Sequence, residues 1–414
     1  MRLQLVQVPD QRWDCHACTF CCRDYAVPVT DHERQRIASL PWDGVLAETN
    51  LFRRHGRWWS RRYQLNHRPD GACVFLSDQG RCLIHERFGS AAKPLACRLY
   101  PFVLVPAGAT WRVGLRFSCP SVAASHGGPL SRHAADVSAC AEELAQRIGD
   151  PNVAAPPLGF RQHVGWDDLL RFQRAVLITL LDRSGPVEWR WRWVLAVAAL
   201  CRTARFERVR DQRLEEFLEV VRIGLREEVP RDPQAVAAPT WVGRMLFRPT
   251  LAVYARKDVG PERGRTARHR LALLDAVWRF ARGRGPVPRT HAALPETTFE
   301  QLERPTGPLA PAAAALRERY YAVKVESLQF CGPTHFGWPF WDGLEALALT
   351  YPVIRWLGRA FADRPPDEAI TQAVRIVDNN FGYNPLLGSR RQRWALRLLA
   401  QTGELTRLIA WYAR

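Results

Sequence analysis

Apolar residues recur at helical spacing along the second part of the chain, from about residue 160 onward. One set follows the i, i+3, i+4, i+7, i+11 spacing of a single helix face: Leu214, Phe217, Leu218, Val221 and Leu225. A second set repeats this pattern: Leu271, Leu274, Trp278 and Ala281. Because apolar residues on one side of a surface helix face the core, we expect both sets to be buried.

The same pattern predicts more helices, at 166–183, 188–205, 312–327, 341–362, 367–381 and 389–412. Pro366 suits the first turn of the fifth of these, where the N–H that proline lacks would have no partner. Pro352 is expected to kink or split the helix at 341–362. The proline-rich stretch 285–311 is predicted to be a connecting loop.

Residues 1–120 have a different pattern of short apolar runs broken by glycine and proline, such as ACVFL and RCLIHE. The run YPFVLVPAGATWRVGLRF predicts two strands about a turn at Gly108. We therefore expect a mainly α protein, in which a small irregular α+β domain precedes a helical domain. The predicted boundaries are 1–125 for the first domain, 126–160 for a linker and 161–414 for the helical domain.

Composition and charge narrow the function classes. The 414 residues are 47% hydrophobic, which can supply real cores. No segment approaches the run of about 18 apolar residues that a membrane span needs, and the first residues lack the apolar run of a signal peptide. We therefore expect a soluble cytoplasmic protein that does not contact a membrane.

A formal net charge of +18 favours binding to nucleic acid, because basic side chains neutralise phosphate groups. However, only Lys93, Lys257 and Lys324 are lysines, and such an arginine skew is typical of GC-rich coding. The densest basic cluster, RRHGRWWSRR, holds Trp58 and Trp59 and is followed by Tyr63, and these rings are expected to pack beneath it. Nucleic-acid binding is therefore disfavoured against a solvated basic face that meets an acidic partner.

Cysteines carry the candidate chemistry. Eight of the 11 lie in the first 120 residues: Cys15, Cys18, Cys21, Cys22, Cys73, Cys82, Cys97 and Cys119. A C-x2-C spacing lets a tight turn aim two thiolates at one ion, and CHACTFCC contains two such spacings in overlap. In a reducing compartment this favours a metal or cluster site over disulfides and over inert buried thiols. The later Cys140, Cys201 and Cys331 are predicted to be ordinary packed cysteines.

Four thiolates satisfy one zinc ion or one [4Fe–4S] cluster and eight satisfy two such centres, and the sequence does not say which belong together. Adjacent Cys21 and Cys22, if extended, point to opposite faces, so we expect one of them to serve the main centre. A ferredoxin is disfavoured, because the fourth cysteine follows the third at once. His16 and His85 are alternative ligands, although a surface or supporting role is favoured for both.

Three side chains beside the cysteines are candidates for contacts to the centre or to a cofactor. Arg98 and Tyr100 are the candidates for binding a cofactor, Arg98 through its guanidinium fork to a cofactor carboxylate. For Arg98, neutralisation of the negative thiolates is the favoured role. Packing of the Tyr100 ring next to Pro101 is an equally good reading. Glu86 is the third candidate, whereas Asp14 is expected to cap a turn.

CHACTFCC, GACVFLSDQGRCLIHERFG and KPLACRLYPF together resemble the CxxCxxCC family of zinc- or iron-chelating domains over residues 15 to about 120. The resemblance implies that the eight cysteines form the ligand pool. Stretches such as CLIHERFGSAAKPLACRLYP further resemble the long members similar to flagellin lysine N-methylase. Those members imply an iron–sulfur cluster, S-adenosylmethionine and a flagellin-like protein substrate.

Two functions follow from these observations. The first is methyl transfer to a protein lysine, which requires an open coordination position on the metal. The second is a non-catalytic zinc or iron site, with a helical half that binds a protein partner. The resemblance favours methyl transfer over the non-catalytic site, although no catalytic base or Rossmann-type glycine-rich loop is recognisable in the sequence.

Overall fold

A computed structural model describes residues 2–44, 46, 49–55, 62–149, 152–255, 267–288, 291 and 293–414, without the side chains of 267–270, 272 and 273. Its strands are β1 Arg2–Leu5, β2 Pro28–Val29, β3 Phe52–His55, β4 Arg62–Leu65, β5 Phe102–Ala107 and β6 Thr110–Leu115. Its helices are α1 Phe20–Asp24, α2 Asp31–Ala38, α3 Leu83–Phe88, α4 Leu95–Leu99, α5 Pro120–Ala123, α6 Ala134–Ile148, α7 Trp166–Leu181, α8 Val187–Thr203, α9 Asp211–Glu228, α10 Trp241–Ala255, α11 Ala267–Arg282, α12 Phe299–Leu302, α13 Pro311–Glu326, α14 Phe340–Ala360, α15 Pro366–Asn380, α16 Arg390–Gln401 and α17 Glu404–Ala413. The predicted fold class, mainly α with a small α+β part, is confirmed.

The chain divides into two compact units that are interleaved in sequence. The cysteine unit comprises Arg12–Val103 and Cys119–Asp150, and the helical unit comprises Met1–Gln11, Leu104–Ser118 and Pro151–Arg414. Helix α6 lies within the stretch predicted to be a linker. The boundaries at residues 125 and 161 stay predictions. No helix in the described part of the chain is both long and apolar enough to cross a membrane.

The cysteine unit has a small core beside a sheet of strand order β2-β4-β3. Strand β4 pairs antiparallel with both neighbours, with Pro28 opposite Gln64 and Phe52 opposite Leu65. The buried core residues are Val29, Ile37, Leu65, Cys73, Val74, Phe75 and Ile84. Cys22, Cys82 and Cys97 pack against this core, so its apolar side chains and its thiols share one interior. Of the predicted basic cluster, Trp58 and Trp59 lie outside the described residues.

The helical unit contains a second sheet, of order β1-β6-β5. Strands β5 and β6 flank Gly108, whose φ of +61° is a turn conformation that glycine adopts without strain. This confirms the predicted pair of strands. Strand β1 pairs parallel with β6, with Arg2 opposite Thr110 and Leu5 opposite Val113.

Helix α14 is the centre of the helical unit, and every one of its 21 residues is buried. A helix that is apolar on most sides belongs inside a protein, and neighbouring helices, including α15 and α17, pack around it. Pro352 does not split this helix, which runs without a break from Phe340 to Ala360, because packing on all sides outweighs the loss of one backbone hydrogen bond. A kink at Pro352 stays a prediction. Pro366 does begin α15, as predicted.

Two other helix predictions need correction. The segment 389–412 forms α16 and α17 rather than one helix, since the backbone turns at Gly403 with a φ of +73°. On α11, Leu274 and Trp278 are 66% and 59% exposed, whereas Phe280 is buried. The helix carries more than one apolar stripe, and spacing alone does not say which of them packs on the core.

A buried ion pair joins two helices of the helical unit. Lys324 Nζ on α13 lies 2.5 Å from Asp378 Oδ1 on α15, and both side chains are almost fully buried. The second oxygen of Asp378 accepts a hydrogen bond from the Ser118 N–H at 2.9 Å and lies 3.4 Å from the Arg116 guanidinium. Burial lowers the pKa of Lys324, and the Asp378 carboxylate opposes that shift. Each charge therefore depends on its partners.

Substitution of Lys324 by Met should lower the free energy of unfolding by about 3 kcal/mol, since it leaves the buried charge of Asp378 only partly compensated. Urea unfolding measures this loss. The matched control is Asp275→Asn, which removes an exposed ion pair to Arg279 of 2.9 Å and should cost less than about 1 kcal/mol. Equal losses for the two variants would contradict this account of the buried pair.

Candidate metal centre

The CHACTFCC segment is a loop that leads into a short helix. Ala17 and Thr19 adopt left-handed backbone conformations, with φ of +55° and +62°, and α1 begins directly afterwards. Cys21 and Cys22 thus lie on a helix, where successive side chains are about 100° apart. Their Sγ atoms are 4.0 Å apart. The prediction that these thiols point to opposite faces is wrong, because the backbone is helical and not extended.

Backbone contacts bring the second and third cysteine segments to this helix. The Cys73 N–H donates to the Cys22 carbonyl at 2.7 Å, which fixes residue 73 beside α1. A tight turn at Gly80, with a φ of +76°, then pairs Leu76 with Cys82. Cys82 is the residue directly before α3.

Helix α4 supplies Cys97, and the buried Glu33 fixes this helix in place. Glu33 Oε1 accepts from the Leu95 N–H at 2.7 Å and from the Arg147 guanidinium at 2.8 Å. Burial alone would raise the pKa of Glu33, but these donors and the Thr30 N–H hold it at about 2. The ionised Glu33 therefore ties α2, α4 and α6 together two residues from Cys97.

Five thiols lie near one another and form what we call the inner cysteine group: Cys21, Cys22, Cys73, Cys82 and Cys97. A hydrogen bond to Cys22 and burial raise the pKa of Cys21. Burial raises the pKa of Cys73 to about 11, and negative charge on Cys82 and Cys21 adds to the shift. The pKa of Cys97 is raised by burial and by the charges of Cys73, Cys82 and Cys21. Without a cation, burial and the neighbouring thiols therefore oppose ionisation of Cys21, Cys73 and Cys97.

Lys93 lies near these thiols, although no motif marked it as a site residue. Its ammonium lowers the pKa of both Cys21 and Cys97, in opposition to their burial. Lysine is rare in this chain, with only three examples, and one of them lies four residues before Cys97. This rarity is the feature of the sequence that could have identified Lys93 as part of the site. Lys93 supplies positive charge that would partly offset a cluster of thiolates.

Cys18 and Cys119 form a second group, which we call the outer pair. Cys119 is 6% exposed and directly precedes α5. Burial raises its pKa, and negative charge on Cys18 raises it further. Cys15 is exposed. Of the eight predicted ligands, five thus belong to the inner group and two to the outer pair, and Cys15 is exposed; which of them bind metal stays a prediction.

The two candidate histidine ligands lie beside different groups in sequence: His16 is two residues from Cys18 of the outer pair, and His85 is three residues from Cys82 of the inner group. The His16 ring contacts the Ser121 hydroxyl, and its centroid is 5.3 Å from that of His126. His85 is exposed on α3, as the surface reading predicted. Asp14 accepts a hydrogen bond from the Gly128 N–H at 2.6 Å, far along the chain, and this bond lowers its pKa.

The other predicted side chains have partners of their own. The Arg98 guanidinium donates to Glu143 at 2.6 Å and to the Cys140 thiol at 3.6 Å. The Tyr100 ring packs edge-on against Tyr25, with centroids 5.2 Å apart. Glu86 forms a partly exposed ion pair with Arg81. Cofactor contacts by Arg98 and Tyr100 stay predictions.

The donors fit a thiophilic metal group in kind and number. Soft thiolates select zinc, copper(I) or iron–sulfur clusters, and the inner group offers five buried or half-buried thiols. In the described residues, no three His, Cys, Asp or Glu side chains are arranged to hold a single ion. A tetrahedral zinc site would need sulfur atoms about 3.8 Å apart, from a Zn–S distance of about 2.3 Å. Of the pairs within the inner group, Cys21–Cys22 meets that spacing.

Residues 14–120 match the model of the CxxCxxCC family, described as a putative zinc- or iron-chelating domain. The matched segment contains all eight of the predicted ligands and about a quarter of the chain. No curated protein and no solved structure matches the chain. The match thus supports zinc or iron binding by this segment.

Replacement of Gly80 by Ala should weaken metal binding, because the new Cβ would lie 3.2 Å from the Thr19 methyl group and 3.5 Å from the Ala17 carbonyl oxygen. The CHACTFCC loop would have to shift. Gly71→Ala is the matched control, with a φ of +83° and no described atom within 4 Å of the new Cβ. Both variants should lose about 1 kcal/mol of stability from the backbone conformation.

Metal content after anaerobic reconstitution and resistance to a chelator measure the difference. We expect Gly80→Ala to release metal sooner than Gly71→Ala. If the two variants hold metal equally well, contact between the Gly80 turn and the CHACTFCC loop does not shape the centre.

Proposed function

We propose that the inner cysteine group binds one [4Fe–4S] cluster. The observation that supports this is the arrangement of its thiols: they lie close enough to influence one another's pKa, yet in the described part of the chain no three His, Cys, Asp or Glu side chains are arranged to hold a single ion. In a cubane cluster each thiolate binds a different iron atom, so the sulfur ligands are further apart than around one ion.

Four ligands suffice for such a cluster, and Cys73, Cys82 and Cys97 are the three that come from separate segments. The fourth would be Cys21, because its ionisation is coupled to that of Cys73 and Cys97. Cys22, 4.0 Å from Cys21, would then be the neighbour that does not bind iron. Bound by four thiolates, a cluster would supply one-electron transfer, whereas a Lewis-acidic iron would require that one of these four cysteines does not bind.

Metal and sulfide analysis of anaerobically purified protein tests this proposal. We expect about four iron atoms and about four sulfides per chain. Cys73→Ser and Cys97→Ser should lose the visible absorption of the cluster, whereas the control Cys201→Ser, a buried thiol in the helical unit, should keep it. Tightly bound zinc without sulfide would contradict the proposal.

The adjacent pair gives a sharper comparison. Cys21→Ser should lose iron and Cys22→Ser should retain most of it, because only one of the two is assigned as a ligand. Cys119→Ser, from the outer pair, should also retain the cluster. Equal loss of iron in Cys21→Ser and Cys22→Ser would overturn the assignment of a single ligand in this pair.

A second proposal is methyl transfer from S-adenosylmethionine to a lysine of a flagellin-like protein, within a reducing cytoplasmic compartment. The resemblance of residues 82–101 to flagellin lysine N-methylases supports it. A cavity of about 530 Å³ in the cysteine unit also supports it, since the wall includes Thr19 and Gly80 beside the CHACTFCC loop. Arg68, Asp70 and Asp78 on that wall offer both charges that a zwitterionic amino-acid group needs.

Titration with S-adenosylmethionine tests this second proposal. We expect binding by the reconstituted protein and weaker binding by Arg68→Gln, because one partner of the ligand carboxylate is lost. Arg81→Gln is the control, since Arg81 pairs with Glu86 and does not line the cavity. Absence of binding and of lysine methylation by mass spectrometry would leave the alternative, a non-catalytic metal site whose helical half binds a protein partner.

A further inference from the structure

A cavity of about 910 Å³ lies within the helical unit. This volume is typical of small-molecule sites, which range from about 300 to about 1,000 Å³. Its wall includes one side of α8 and the start of α17, and much of it is small or apolar, including Leu195, Ala199, Val236 and Leu405. The cavity can therefore hold an apolar body.

One buried carboxyl group on this wall lacks a full set of hydrogen bonds. Glu345 on α14 is 3% exposed and lines the cavity. Its Oε1 atom accepts from Arg202, at 3.0 Å from Nε and 2.7 Å from Nη2. Its Oε2 atom is buried and has no hydrogen-bond partner in the described part of the chain. A buried acceptor without a donor is unfavourable, and a ligand that donates a hydrogen bond would remove this cost.

The charges around Glu345 restrict the ligand. Arg202 faces it from α8, Asp342 from its own helix and Arg397 from α16. Asp342 is itself bound by Arg202, Arg393 and Arg397, at 3.2, 2.7 and 2.7 Å. Guanidinium groups thus outnumber carboxylates, which disfavours a cationic ligand.

An anionic ligand is also disfavoured, because the guanidinium groups on the wall already have acceptors. Arg192 donates to the carbonyl oxygens of Pro230 and Arg231, at 2.6 and 3.1 Å, and Arg202 is bonded to Glu345 and Asp342. The charges around Glu345 therefore favour a neutral ligand that donates a hydrogen bond.

We propose that this cavity binds a small neutral molecule with an apolar body, which donates one hydrogen bond from a hydroxyl or amide group to Glu345 Oε2. The site lies in the helical unit, and its function does not depend on the proposed cluster. Glu345 orients the ligand, and Arg202 holds Glu345.

Binding at this site should depend on pH. Burial raises the pKa of Glu345 to about 7, with Arg202 and Arg397 opposing the shift and Asp342 adding to it. A donor bound to Oε2 favours the carboxylate, so the carboxylic acid form must release its proton on binding. Affinity should therefore rise about tenfold between pH 6 and pH 8.

A matched series of benzyl probes tests the proposal on the full chain by calorimetry and ligand-observed NMR. Benzyl alcohol donates a hydrogen bond, benzyl methyl ether does not, benzylamine is cationic and benzoate is anionic. We expect benzyl alcohol to bind about tenfold more tightly than the ether, and also more tightly than the two charged probes.

Glu345→Gln should retain the acceptor for Arg202 but place an amide N–H₂ at the second oxygen position. It should weaken benzyl alcohol binding about tenfold and remove the pH dependence. Glu219→Gln, on the exposed side of α9, should change neither. Thermal unfolding checks that both variants fold, and if Glu345→Gln does not fold, the comparison of alcohol with ether on the parent protein decides.

Several results would overturn the proposal. These are equal binding of the alcohol and the ether, tighter binding of benzylamine or benzoate, unchanged binding by folded Glu345→Gln, or no binding of any probe.

Discussion

The cysteine unit depends on one constraint: several thiols must share a small interior in which burial and neighbouring thiols disfavour the ionisation of Cys21, Cys73 and Cys97. Cys73 lies in the apolar core, and Cys22, Cys82 and Cys97 pack against the same residues. Burial and mutual repulsion raise the pKa values of Cys21, Cys73 and Cys97, so the unit is poorly arranged for free thiolates. A bound cation reverses this balance, because metal coordination stabilises the deprotonated sulfur.

The secondary structure of the cysteine unit also indicates that this unit depends on a bound metal. Helices α1, α3 and α4 have five or six residues each, which is far below the length at which a helix is stable alone. Each carries or directly follows a cysteine of the inner group. The segments are joined by backbone bonds such as Cys73 to Cys22 and by the buried carboxylate of Glu33. Metal binding and folding of this unit should therefore be coupled.

The helical unit is stabilised in another way. Its central helix α14 is buried throughout, and buried charges such as Asp342 and Asp378 have guanidinium or ammonium partners. Cys201 and Cys331 are buried here and their pKa values are raised by burial alone, which agrees with packed, unreactive thiols. The core of this unit consists of apolar side chains and paired charges, and the cavity beside Glu345 is distinct from the cysteine site.

The sequence allowed prediction of features that depend on local pattern. Helical spacing located most helices of the second part, and C-x2-C spacing located the metal-binding segment. It did not reveal the helical backbone at Cys21 and Cys22, because the left-handed residues before it are Ala17 and Thr19, which carry no turn signal. Nor could it show which stripe of α11 is buried, or that Cys18 lies near Cys119. Those features arise from contacts between segments distant in sequence.

The central claim is that the inner cysteine group binds one polynuclear iron–sulfur centre. X-ray absorption spectroscopy of anaerobically purified protein, at the iron and zinc edges, tests it most directly. The account predicts iron with both sulfur and iron neighbours, and a signal lost in Cys97→Ser. Zinc surrounded by sulfur alone, with no iron neighbour signal, would contradict it.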